Sequence, residues 1–321
     1  MVDGRSLIFM RIPSIDYRTH PAYCYASTLR GRYEAMRVFM PMFFGALRQR
    51  MRVRPSICTD GCELGRKGVV AYRIPPETIA TLNRYAEPYV SQILKNKDEK
   101  GVSIFKEKVL QVPARKSPEF FQAVAGLLDE LGIIRQAEHY RGYPLRLTNL
   151  AVQVGDPEDS DWRDHFEDVG VADPPTAYYH IDGSLGHMKA LIYLTEVGEE
   201  NGPFCYVPGS NSVLGVWEHA IRYANDKAKT DSCDPDRRKI FAALPRAFQK
   251  KSEFGNDMRE GFDALLANEY KILSARDGNL FLFDNNILHR GGMVAKGRRV
   301  ILQINFRPLN DGYRKGSDFQ M

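Results

Sequence analysis

Apolar positions change their spacing part-way along the chain. Up to about residue 140 they recur at helical intervals; beyond 145 they come in short runs of β-forming residues. Residues 30–50 mix basic and apolar side chains in a helical pattern interrupted at Pro41. Residues 68–74 read as a strand, and Pro76, Glu77 and Thr78 begin a helix whose stripe is Ile79, Leu82, Tyr85, Ala86 and Tyr89. Ser117, Pro118 and Glu119 open a second helix to about Gln136, with Ser117 as its N-cap. Strands follow at 145–154, 177–181, 188–197, 204–207, 279–283 and 299–307. Asn201-Gly202 predicts a two-residue hairpin turn before the strand at 204. Residues 209–271 hold helical insertions, at 217–229 and 236–250. Helices first, then many short strands, predict an antiparallel barrel or sandwich backed by helices.

Composition leaves this picture in place. A 321-residue chain with 43% hydrophobic and 26% charged residues has the makings of an ordinary globular core. The net charge of +5 permits an anionic substrate without calling for nucleic acid. Five irregularly spaced cysteines predict free thiols and a reducing, cytoplasmic setting. The longest apolar run, 39–47, is too short to span a bilayer.

The candidate chemistry lies in Tyr179-His180-Ile181-Asp182. Strand alternation points His180 and Asp182 to one side. A second imidazole, His289, completes a set of two histidines and one carboxylate. Placed on one face of an octahedral metal, that set leaves three positions open, as in non-haem Fe(II) oxygenases. The triplet alone is common by chance, and a histidine at a strand end is often a satisfied polar residue. The order of features adds weight: His180-x-Asp182, then Asn201-Gly202-Pro203-Phe204 and Val207-Pro208-Gly209-Ser210-Asn211, then His289-Arg290-Gly291-Gly292, then Arg298-Arg299.

In that order, over roughly residues 65–310, the chain resembles the phytanoyl-CoA dioxygenase-like branch of the Fe(II)/2-oxoglutarate oxygenases. The resemblance implies a double-stranded β-helix from 66 to 321, with a helical lid at about 212–270 and a helical extension, 1–65, in front. It implies His180, Asp182 and His289 as Fe(II) ligands, with 2-oxoglutarate and O2 as cosubstrates. Arg299, ten positions after His289, matches the arginine that grips the distal carboxylate of 2-oxoglutarate; Arg298 falls on the opposite face. Leu191 matches a position beside the cosubstrate; Thr148 and Gln153, on the strand before the ligands, are further candidates to reach the cosubstrate. Gly291 stands where some relatives carry a hydroxyl residue. The acid at 182 argues for hydroxylation or a related oxidation, since halogenating relatives have a small residue there.

The implied reaction couples decarboxylation of 2-oxoglutarate, to succinate and CO2, to oxidation of an unactivated C–H bond in a small molecule. Basic residues of the insertion, among them Arg222, Lys227, Arg237 and Arg246, fit either an anionic substrate or a solvated helical face. The alternative function is a non-catalytic metal- or ligand-binding β module. A nucleic-acid partner ranks last, because no aromatic and basic stripe appears, and no membrane partner is expected.

Overall fold

The computed structural model describes residues 28–52, 62–98, 108–157, 182, 186–211, 215–228, 239–240, 242–248, 267–292 and 294–309. The expected strand at 177–181, His180 included, lies outside these residues, as do most of the extension before 28 and parts of the insertion.

Helix α1 (Leu29–Arg52) is followed by α2 (Glu63–Lys67), β1 (Val69–Tyr72), α3 (Pro76–Asp98) and β2 (Val109–Gln111). Next come α4 (Pro118–Glu130), α5 (Ile133–Arg141), β3 (Leu145–Gly155), β4 (Met188–Tyr193) and β5 (Phe204–Tyr206). Helix α6 (Val216–Ala228), β6 (Tyr270–Ile272), α7 (Ser274–Asp277), β7 (Leu280–Asp284), β8 (His289–Gly291) and β9 (Arg299–Pro308) complete the described elements. No described helix is long and apolar enough to cross a membrane.

The strands form two antiparallel sheets, ordered β1-β7-β4-β9-β3-β2 and β6-β5-β8. Each buries its apolar face, and the larger sheet buries both. On one side Val152, Val154, Ala190, Ile192, Leu282, Leu302 and Ile304 pack against Leu82 and Ile93 of α3, Phe120 and Leu128 of α4, and Ala137 of α5. On the other, Leu191, Tyr193, Phe281, Phe283 and Ile301 meet Phe204, Tyr206 and Ile272 of the smaller sheet. Each fully buried large apolar side chain contributes about 1.5–3 kcal/mol. This is the double-stranded β-helix in the form of an open sandwich rather than a closed barrel.

Four local expectations are corrected. Helix α1 runs through Pro41 without a break. The lost hydrogen bond is offset by the stripe Ala35, Phe39, Phe43 and Ala46, which packs on Ala220, Ile221 and Ala224 of α6. Ser117 makes no side-chain cap; its hydroxyl lies 2.6 Å from Tyr89 Oη instead. The helix expected to reach Gln136 divides at Gly132, whose φ of 65° ends one helix and admits the next. Asn201-Gly202 does not close a hairpin, because β4 and β5 belong to different sheets. Asn201 accepts the Gly198 N–H (2.8 Å) and donates to Lys296 O (2.8 Å), which steers the chain from one sheet to the other.

Just after β3, Asp156 receives hydrogen bonds from Lys97 Nζ (2.8 Å) and Arg298 Nε (2.7 Å), tying α3 to the start of β9. Burial opposes the Asp156 charge, but the two cations outweigh it and hold the carboxyl below its ordinary range. A depressed carboxyl contributes stability above its unfolded pKa, about 3.9, and loses it as pH falls through the folded value. Asp156→Asn is expected to cost about 1 kcal/mol at neutral pH and nothing at the acid end. Urea unfolding measured across that pH range checks this; a pH-independent cost would overturn it.

Candidate metal centre

Strand alternation places the functional positions on the inner face of the larger sheet. The register sets Lys189 beside Phe283 and Asn305, and Leu191 beside Phe281 and Gln303. On the next strand Gln153 lies opposite Ile301 and Gly155 opposite Arg299. This face looks onto β5 and β8, and β8 begins with His289.

His289 is held on three sides. Its Nδ1 lies 2.9 Å from Ile287 O. A carbonyl only accepts, so Nδ1 carries the proton, and in the neutral ring Nε2 is the nitrogen able to bind a metal. Phe204 stacks on the ring (centroids 5.2 Å apart, 26° between planes), and Phe283 meets it obliquely at 5.1 Å. The other ring nitrogen faces Asp182: His289 Nε2 and Asp182 Oδ2 are 3.6 Å apart.

Cis donors on an octahedral first-row ion stand about 3 Å apart when each bond is about 2.1 Å. The Asp182–His289 pair is therefore nearly set for a shared cation, and its imidazole and carboxylate donors suit Fe(II). Lys189 Nζ lies 2.6 Å from the same Asp182 oxygen, so a positive charge already occupies the side of the carboxylate that faces the sheet. Among the described residues no group of three metal-ligating side chains occurs; His180 lies outside them.

Arg299 is buried (5% exposed) at the start of β9, and its Nη1 donates to Gly292 O at 3.1 Å. Gly155 and Gly291 flank it: a Cβ at either would lie in ordinary contact with Arg299 Nη2, at 3.5 Å and 3.7 Å. Arg298 points the other way, to Asp156. Among the other sequence candidates, Leu191 is buried on the inner face. Gln153 accepts a hydrogen bond from Gln303 Nε2. Thr148 falls where the β3–β9 register shifts, and its hydroxyl donates to Asn305 O (3.2 Å). Tyr193, which sequence reasoning passed over, accepts the Phe204 N–H (2.8 Å) and donates to Ile272 O (3.2 Å), joining the two sheets.

Sequence reasoning also missed the polar network beneath the centre. The side chain of Arg141, at the end of α5, is 2% exposed and pairs with that of Asp284, which is fully buried at the end of β7. Arg141 Nη2 also donates to His187 O (2.7 Å), and its Nε lies 3.2 Å from Met188 Sδ. Asp284 accepts from Tyr140 Oη (2.6 Å), Asn286 N (2.9 Å) and Asn286 Nδ2 (2.8 Å). Asn211 Nδ2 donates to Tyr140 Oη at 2.8 Å. Burial works against the Arg141 charge, yet Asp284 outweighs it and raises the guanidinium above its ordinary pKa. Burial pushes the Tyr140 phenol upward, with Asp284 adding to the effect.

The network grips the segments next to both candidate ligands: His187 and Met188 follow Asp182, and Asp284 to Ile287 lead into His289. The Pro208-Gly209-Ser210-Asn211 motif joins in, since Ser210 Oγ accepts the Leu288 N–H (2.8 Å) and donates to Val207 O (2.7 Å). Gly68 passes close to the same turn; a Cβ there would lie 2.6 Å from Ile287 Cδ1, and its φ is +79°.

No family model matches the chain, and no curated protein matches it. Among solved structures it is similar to the non-heme alpha ketoglutarate dependent carbocyclase SnoK from nogalamycin biosynthesis: 14% identity over 84% of this chain and 96% of that one, TM-score 0.44. Similarity to EctD from S. alaskensis, with 2-oxoglutarate and 5-hydroxyectoine, is 12% over 78% and 75%, TM-score 0.44. EvdMO1 aligns at 16% over 82% of this chain, TM-score 0.43, and the chain spans half of its length. Similarity at this level does not extend to function, which rests on the side chains themselves.

Arg141→Ala leaves the Asp284 carboxylate buried without its cation and is expected to cost about 3–5 kcal/mol. Replacing both partners, Arg141→Met with Asp284→Leu, removes the unpaired charge but leaves Tyr140 and Asn286 without their acceptor, so it is expected to recover only part of that loss. Urea unfolding distinguishes the two variants. A single variant as stable as the parent would show that the pair does not hold this region.

Proposed function

We propose that the chain is an Fe(II)- and 2-oxoglutarate-dependent dioxygenase that oxidises an unactivated C–H bond of a small molecule. The observation that carries this reading is the approach of Asp182 and His289, whose Oδ2 and Nε2 lie 3.6 Å apart. His180, two residues before Asp182 on the expected strand, is the proposed third ligand. Bound there, Fe(II) would supply the redox chemistry that activates O2 and decarboxylates 2-oxoglutarate.

The chain's own residues bind and orient. Arg299, buried and cationic, would hold the distal carboxylate of 2-oxoglutarate with its planar fork. Leu191 and Ile301 give the intervening surface its apolar character, and the Gln153–Gln303 pair offers an amide edge beside it. The phenyl rings of Phe204 and Phe283 keep the imidazole from rotating and exclude water from its flank.

A ligand that binds the folded chain must raise its melting temperature. Mn(II) with 2-oxoglutarate is expected to do so for the parent protein, and His289→Ala or Asp182→Ala to abolish the effect. Arg299→Gln should retain Mn(II) binding and weaken 2-oxoglutarate about tenfold or more, the worth of a charge-assisted hydrogen bond. A metabolite screen with Fe(II), ascorbate and 2-oxoglutarate, reading substrate-dependent succinate by mass spectrometry, tests turnover. Stabilisation without succinate would favour the non-catalytic binding module; no stabilisation in the parent protein would sink both.

A further inference from the structure

We propose that Arg146 and Arg307, with Lys189 beside them, form a subsite for an anionic group, a carboxylate or a phosphate, carried by the substrate. The attribution to substrate rests on the oxygenase reading; the binding of an anion does not.

The register supplies the geometry. Arg146 and Arg307 are direct cross-strand partners on β3 and β9. Their neighbours Leu147 and Phe306 pack with the helix-facing core, so the two arginines project from the inner face, the face of the metal centre. Lys189 lies across from Asn305, and Arg307 is the next inner position along β9. Directly opposed side chains have Cβ atoms about 5 Å apart and diagonal ones lie about 7–8 Å apart. Three cationic side chains are thus gathered on one patch, all of them partly buried.

Lys189 has its carboxylate in Asp182, 2.6 Å away. Arg146 Nε is buried without a hydrogen-bond partner, which is costly for a charged donor. An anion beside Arg146 and Arg307 would satisfy that donor, and the guanidinium fork matches both carboxylate and phosphate. Asn149 and Asn305, paired on the next rung, add neutral amides at the patch's edge.

The position separates this anion from the cosubstrate. Arg307 lies eight residues beyond Arg299 on one strand, about 26 Å at 3.3 Å per residue. Lys189 and Asp182 stand between them. A keto-diacid anchored by Arg299 would approach the metal from one flank, and an anion at Arg146 and Arg307 would occupy the other. The expected substrate class is therefore an anionic small molecule, recognised by the main sheet rather than by the basic residues of the insertion.

The test is isothermal titration of the full chain with methyl phosphate and, separately, acetate. At least one is expected to bind, with Arg146→Gln and Arg307→Gln weakening it about tenfold or more, and Arg146→Lys falling between because it keeps the charge but loses the fork. Tighter binding of methyl phosphate would point to a phosphorylated substrate, and of acetate to a carboxylated one. In buffer free of both, Arg146→Gln should melt at the same temperature as the parent or higher, because a buried charged donor without a hydrogen-bond partner is removed; an arginine with only a structural role would lower it. No binding of either anion by the folded parent, or undiminished binding by both glutamine variants, would overturn the proposal. Mn(II) affinity of the parent reads the oxygenase assignment separately, so an anion bound without Mn(II) would keep the subsite and remove that assignment.

Discussion

The buried ion pair between Arg141 and Asp284 is the interaction on which the geometry of the candidate site depends. Two charges taken out of water gain little net stability, because desolvation consumes most of their attraction. Their effect is to fix geometry. Arg141 reaches the carbonyl of His187 and Asp284 collects the amides of Asn286, so the segments that follow Asp182 and precede His289 are referred to one rigid point. Among the described residues, 186–187 and 285–288 lie outside the strands, and the pair ties both to the end of the sheet. The packing of α4 and α5 on the sheet keeps Arg141 in position, so the helical layer contributes to the centre without touching it.

The alternation of the sheet then sorts chemistry from stability. Even-numbered positions of β4 and β9, such as Ala190, Ile192, Leu302 and Ile304, are uniformly apolar and face the helices. Odd positions face the smaller sheet and vary: Lys189, Leu191 and Tyr193 on one strand, Arg299, Ile301, Gln303, Asn305 and Arg307 on the other. A shift by one residue would bury these polar groups among the helices. The apolar face thus holds the register that aligns the polar one.

Much of this was legible in the sequence. The strands at 145, 188, 204, 280 and 299 stand out because their side chains alternate or run apolar over a few residues, a signal that is local. Asp182, His289 and Arg299 could be found because they sit in short ordered motifs. Arg141 and Asp284 could not: they are 143 positions apart and neither belongs to a motif. The same limit explains Asn201-Gly202, where turn chemistry identifies a turn but not the sheet to which the next strand belongs. Pro41 and Ser117 failed for a related reason. Each has a strong local preference, and tertiary contacts, the α6 packing and the Tyr89 hydroxyl, override it.

The charge distribution of the inner face carries the reasoning one step further. Among the described residues, Asp182 pairs with Lys189 and faces His289, and Arg299, Arg146 and Arg307 lie on the same face of the sheet. A site built only to hold a divalent cation would collect acids; the described part of this one sets cations on the face that carries its carboxylate. Such a surface favours a metal only when anions bind with it, because each added negative charge offsets repulsion that the metal would otherwise meet. Metal, keto-diacid and an anionic substrate would therefore bind interdependently: the cation strengthens the anions, and by linkage the anions strengthen the cation.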